Sequence, residues 1–359
     1  MNFSPLSARR ALISAAALVV GVAFAGCSGG SNSALSTMPQ ANPVGRSASA
    51  DHELARVTIP VGAHAVPVSN RAHAMGLQGQ PPFHNKTYAI TPAQGSCPSD
   101  HQCLQYHGGQ VLSNTGSINV FVNPDNTETG FPNNCTVSLC PPAQWGYPGG
   151  FIGRYTNNSE MGHIVDQYEK PLGPTRLNRF PYLGYITLID PNIKADGTKA
   201  NAGSDAEATV ELKAAIAAAG LTGDHYMYHL FYRQNQAFCS NLLGGTCYLA
   251  SPFNWCAFHG SQTINGNDTI YSIEPWQQLN GCTAPTDTIQ NDTSSTLSHE
   301  LTEALTDPHG DAWWRSSDGQ EIGDICRFNY SNITMQPNSI TYNIQEEYIN
   351  SKEACAYGP

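Results

Sequence analysis

Several common chemistries have no footing in this chain. It has neither a Gly-x-Gly-x-x-Gly fingerprint nor a Gly-x-x-x-x-Gly-Lys phosphate loop, so dinucleotide and nucleoside triphosphate chemistry lack a motif. No two cysteines form a Cys-x-x-Cys pair, which removes a thioredoxin-like redox centre and a thiolate zinc knuckle. Basic residues are few: 17 Lys and Arg stand against 28 Asp and Glu. So acidic a surface repels nucleic acid and anionic lipid, and no nucleic-acid partner is expected. Long apolar runs are missing as well. The one sustained run, Ala11 to Ala25, falls short of the about 20 residues that cross a bilayer as a helix.

That short run is meaningful in its context. Arg9 and Arg10 precede it and small residues end it, which is the pattern of a secretory signal over residues 1–26. Phe24-Ala25-Gly26-Cys27 looks like a lipobox, with Cys27 as the acylated first residue of the exported protein. A plain signal cut near Ala25 is the alternative. Removing residues 1–26 leaves 15 basic against 28 acidic residues, so the bilayer partner is engaged by the acyl group on Cys27 rather than by a basic face. The expected address is the outer membrane or cell surface, with the periplasm as the other possibility. Ser28, which is not acidic, favours outer-membrane sorting.

The cysteine count fits this reading. Of the 11 cysteines, setting Cys27 aside leaves an even number, which in an exported chain suggests a disulfide framework. Spacing suggests Cys97–Cys103, Cys135–Cys140 and Cys239–Cys247 as local loops, and Cys256–Cys282 and Cys326–Cys355 as longer closures. Spacing alone leaves other connectivities open.

Residues 27–45 are rich in Ser, Asn, Gly and Pro and read as a lipid-anchored flexible tether. Residues 46–90 read as an irregular N-terminal extension with short extended pieces near Ala55 to Ile59 and Ala65 to Val68. Residues 91–359 read as one disulfide-rich domain resembling a metalloprotease. Within it, 132–150 suggests a stapled loop, and strands are expected at 117–123, 182–190, 225–232, 256–264, 269–274 and 339–348. A helix is expected from Ser204, where Ser204 and Glu207 form a capping box, to a C-cap at Gly220. A second helix should run from about Ser294 to Thr306, capped by Asp292 or Thr293 and stopped by Pro308. Strands mixed with two principal helices give an α/β or α+β fold with a mixed sheet.

The chemistry-bearing stretch is Ser298-His299-Glu300-Leu301-Thr302-Glu303. On a helix, His299 and Glu303 lie one turn apart on one face, where an imidazole and a carboxylate can grip one zinc ion. Glu300, adjacent to His299, is placed to take a proton from a water activated by such an ion. Asp324, within Glu321-Ile322-Gly323-Asp324-Ile325-Cys326, is the first choice for a third ligand, with Asp307 and His309 as competitors. The wider acidic cluster would also suit calcium. Trp313 and Trp314 are candidates for a cleft wall or for core, and Tyr330 and Tyr342 for an oxyanion donor.

Three segments resemble the family of the plant phosphate-induced, or Exordium, cell-wall proteins. They are Tyr106-His107-Gly108-Gly109-Gln110-Val111-Leu112 with the following strand, Ser298 to Ala304 leading through Asp307-Pro308 to Ala312-Trp313, and Glu321 to Cys326 with a late Cys355. Gln110 stands where the family tends to have Pro, and Trp314 where it tends to have Tyr or Phe. The resemblance implies an extracellular protein with a zincin-like helix, and it implies that His299, Glu300, Glu303, Glu321 and Asp324 form one site. Two functions follow as expectations. The first is a surface or periplasmic zinc-dependent hydrolase, a peptidase acting on extracellular or envelope protein, with Glu300 as the base. The second is a non-catalytic envelope or extracellular binding lipoprotein holding a structural metal.

Overall fold

The computed structural model describes residues 53–61, 71–76, 103–112, 115–123, 145–156, 163–168, 180–253, 255–336 and 339–358. All of them belong to one compact unit, Arg46–Pro359. The expected signal, Cys27, the tether, the 65–68 piece, most of the stapled loop, and Cys97, Cys135 and Cys140 lie outside the described residues.

A seven-stranded mixed sheet organises the unit. Its strands in chain order are β1 (Glu53–Thr58), β2 (Arg71–Gly76), β3 (Gly116–Val122), β4 (Tyr182–Ile189), β5 (Tyr226–Tyr232), β6 (Trp255–Ile264) and β7 (Asn267–Pro275). Across the sheet the order is β1-β4-β3-β5-β7-β6-β2. The first five positions are parallel, whereas β6 runs antiparallel to both of its neighbours. Near-continuous Val, Ile, Leu, Tyr and Phe in β3, β4 and β5 fits strands covered on both faces. Asn265 and Gly266 both take positive φ, the geometry that closes a two-residue hairpin between β6 and β7.

Alternation along the strands sends side chains to two separate cores. Ile118, Val120, Val122, Leu230 and Phe258 pack with Leu212 and Ile216 of α2 (Asp205–Ala219). Phe121, Tyr185, Phe231 and Ile270 pack on the opposite face with Leu297, Leu301 and Leu305 of α3 (Ile289–Thr306) and with α1 (Pro148–Tyr155). Ser204 caps α2, its hydroxyl accepting from the Glu207 amide at 3.4 Å, and Gly220 ends it at φ 69°. These match the sequence reading.

Three details differ from it. The α3 helix begins five residues early and is capped by Thr288, whose hydroxyl accepts from the Asn291 amide at 3.3 Å. Asp292 is not the cap, because its carboxylate is taken by the Ala284 amide at 2.8 Å. Residues 148–150, read as the end of a stapled loop, open α1, which Pro148 starts at a position where no amide donor is needed. The expected strand 339–348 divides at Glu346 into β9 (Ile340–Gln345) and a short strand Glu347–Ile349. β9 pairs antiparallel with β8 (Tyr330–Met335) and packs against α3.

Disulfides join Cys239 to Cys247, Cys256 to Cys282, and Cys326 to Cys355, three of the pairings that spacing suggested. Such bonds fit an oxidising extracellular or periplasmic compartment. Among the described residues no helix is long and apolar enough to cross a membrane.

Candidate metal centre

The sheet face beneath α3 is polar where an ordinary core is not. Asn119, Thr187, His229, Ser272, Glu274, His259 and Ser261 are all buried there. Burying such groups costs free energy unless each is compensated, so a polar layer at this depth is where a candidate site is to be sought. His229 is one satisfied example. Its ring meets Ser272 Oγ at 2.8 Å and Ser117 Oγ at 3.2 Å, and burial lowers its pKa to about 3, so it is neutral.

The centre is built from four elements. On α3, His299 Nε2 lies 3.2 Å from Glu303 Oε1, one helical turn on, as the spacing predicts. Glu300 faces the same cluster and meets His259 of β6, with Oε2 at 3.1 Å from Nδ1. Phe258 belongs to the α2 face, so its neighbour His259 necessarily points to α3. His259 Nδ1 also lies 3.6 Å from Glu303 Oε2, and its Nε2 lies 3.7 Å from Glu321 Oε2. One donor atom from each of His259, Glu303 and Glu321 falls within 4.8 Å of the others, and the same holds for His299, Glu300 and Glu303.

The segment 321–326 closes the cluster from the side. Gly323 passes so near His299 that a Cβ there would sit 2.5 Å from Nδ1. Asp324 donates its amide to Glu303 Oε1 at 3.0 Å, and its carboxylate accepts the Glu321 amide at 3.4 Å. Asp324 thus meets Glu303 through its main chain, and its charge also reaches Glu303 and His299, while Glu321 brings a side chain within reach of His259. Gln345 of β9 holds the far edge of the His299 ring: its Nε2 lies 2.9 Å from Nδ1 and donates to Gly323 O at 2.8 Å. Cys326–Cys355 anchors the segment covalently.

His259, His299, Glu300, Glu303 and Glu321 are at most 1% exposed, and Asp324 is 4% exposed. Glu347 is also fully buried, and neither of its carboxylate oxygens meets a hydrogen-bond partner among the described residues. Burial pushes the Glu321 carboxyl well above its usual range, and the facing charges of Asp307 and Glu303 add to that. Burial raises Glu347 and Glu303 too, opposed in both cases by His299. For His299, burial lowers the pKa, but Glu303, Glu300 and Asp324 outweigh it and leave the imidazole well above its usual value. For His259, burial wins over the attraction of Glu303 and the pKa falls. The opposite outcomes follow from contact geometry: His299 meets Glu303 more closely, and His259 also feels the repulsion of His299.

Asp307 borders the cluster, where its charge faces Glu321 and its backbone oxygen meets the His259 ring. It also accepts the amides of Asp311 and Ala312, each at 2.7 Å, and so shapes the turn after α3. The remaining sequence candidates are placed elsewhere. His309 contacts Ser261 Oγ at 2.7 Å and Asp268 Oδ2 at 3.0 Å. Trp313 donates to Tyr168 O at 2.7 Å and Trp314 stacks on His107 at 3.4 Å between ring centroids, so both indoles are core. Tyr342 faces Arg154 and Tyr330 faces Ser295.

Sequence reasoning missed His259, Gln345 and Glu347. Nothing in their spacing ties them to α3, although a glutamate beside Tyr348 and Ile349 in an apolar strand was a readable oddity. A group of imidazoles and carboxylates, sealed from water and facing one another, matches the ligand chemistry of a divalent ion. No protein-family model matches the chain, and no curated protein and no solved structure matches it.

Proposed function

We propose that this protein is an exported, envelope-associated metalloprotein holding a zinc-class divalent ion among His299, Glu303, His259 and Glu321. The observation that carries the reading is the convergence of two imidazoles and several carboxylates in a fully buried cluster. Uncompensated charges there would cost several kcal/mol each, so the cluster needs a cation or a set of protons. The two imidazoles favour zinc over calcium, which prefers an all-oxygen shell. The ion's role is structural, because every donor is shielded from a macromolecular substrate. It would join α3 to β6 and to the 321–326 segment. The signal-like residues 1–26, Cys27 and the disulfides support an exported and lipid-anchored protein, and the Exordium-like segments support His299, Glu303 and Glu321 as members of the site.

One observation favours a second reading, a zinc-dependent peptidase. Glu300 lies beside His299 and within ligand distance of the cluster. Zinc would supply Lewis acidity there, and Glu300 would hold and move a proton at its carboxylate. The two readings separate when purified protein is treated with a chelator and assayed for casein cleavage and thermal stability together. The structural reading predicts a lowered melting temperature and no cleavage at any stage. Chelator-sensitive cleavage that Glu300→Gln abolishes would overturn it in favour of the peptidase.

A further inference from the structure

The two ligand groups share one residue, and the way they share it has a chemical meaning. Glu303 turns Oε1 to His299 Nε2 at 3.2 Å and Oε2 to His259 Nδ1 at 3.6 Å. A carboxylate that offers its two oxygens to two different imidazoles has the form of a bridge between two cations. We propose that the centre is dinuclear, with Glu303 bridging two divalent zinc-class ions. One ion is held by His299 and Glu300, the other by His259 and Glu321. This rests on the metal reading above and goes beyond it.

Charge supports two ions over one. Glu300, Glu303, Glu321, Asp324 and Glu347 are all within the buried site, together with two imidazoles. With Glu274, which couples to Glu300, and Asp307, which faces Glu321, also counted, a single divalent ion leaves most of that negative charge uncompensated in a water-excluded space, whereas two compensate more than half of it. Glu347 fits an ion on the His299 side of the centre. It is completely buried, its oxygens meet no hydrogen-bond partner among the described residues, and its charge couples first to His299 and then to Glu303. An ion held by His299 and Glu300 gives Glu347 a counter-charge. Carboxylate-bridged pairs of this kind hold their ions about 3.5–4 Å apart, a span that one carboxylate covers.

The test is metal stoichiometry. The full chain is loaded with Zn2+, desalted, and measured by native mass spectrometry and elemental analysis, with circular dichroism confirming the fold of each variant. The expected result is two zinc ions per chain, falling to one in His259→Ala and to one in His299→Ala. Loading with Co2+ should give visible absorption that rises through two equivalents. One zinc per chain in the wild type would overturn the dinuclear proposal and leave the metal reading standing. So would a single histidine substitution that removes every ion. No bound zinc in the folded wild type would overturn both.

Discussion

At the residue scale, the centre depends on contacts too tight to tolerate small changes. Gly323 leaves no room for a methyl group beside His299 Nδ1. Gly323→Ala should displace the imidazole and reduce bound zinc at least several-fold, with far-ultraviolet circular dichroism unchanged, as elemental analysis would show. Retention of full zinc by this variant would mean that the His299 ring is not held where the account needs it. His229 gives a second, separate prediction. Its pKa is about 3 in the folded protein against an ordinary 6.5, so the unfolded chain binds the proton first as pH falls. Its contribution to stability is therefore complete above about pH 6.5 and is lost as pH falls toward 3, at up to about 1.4 kcal/mol per pH unit. Urea unfolding at pH 7 and pH 5 should show a smaller loss for His229→Gln than for the wild type. The pair His299 and Glu303 was legible because a helix fixes which side chains meet at four-residue spacing. His259 was not, since it reaches the centre across the sheet, 40 residues before His299, by pairings that leave no local trace.

At the element scale, α3 is the member on which the two halves of the site depend. Its apolar side, Leu297, Leu301 and Leu305, packs with Phe121, Phe231 and Ile270, while Glu300 and Glu303 face the polar layer. Leu301→Ala should destabilise the protein by about 2–5 kcal/mol, the range for emptying a packed leucine site, in denaturant unfolding. Thr288→Ala should cost about 1 kcal/mol by removing the cap, whereas Thr293→Ala leaves that cap in place. The core and the stop of α3 were readable from the apolar spacing and Pro308. Its first turn was not, because Asn291, Asp292 and Thr293 have weak helix propensity and are held by the loop that Asp292 caps and by the Thr288 hydroxyl. Strands β3, β4 and β5 were readable from continuous apolar runs. The β-sheet order was not, since it is decided by pairings between distant segments.

At the scale of the whole molecule, disulfides and the centre reinforce each other. Cys326–Cys355 closes a long loop around β8 and β9 and ties down the segment that carries Glu321 and Asp324. Replacing both cysteines by serine should cost about 3 kcal/mol in unfolding free energy and weaken zinc retention as well. A disulfide that served stability alone would leave zinc retention unchanged. The even cysteine remainder made this framework readable, whereas the site's complete enclosure depends on four elements meeting and has no sequence signature. The central claim is that a divalent ion completes this buried cluster, and calorimetric melting with chelator and with added metal tests it most directly. An ion present at about a thousand times its dissociation constant adds about 4 kcal/mol, which in a domain of this size corresponds to a shift of roughly 10 °C. The account predicts that chelation lowers the melting temperature by about that amount and that Zn2+, but not Ca2+, restores it. A melting temperature unmoved by chelator and by added zinc would contradict the account.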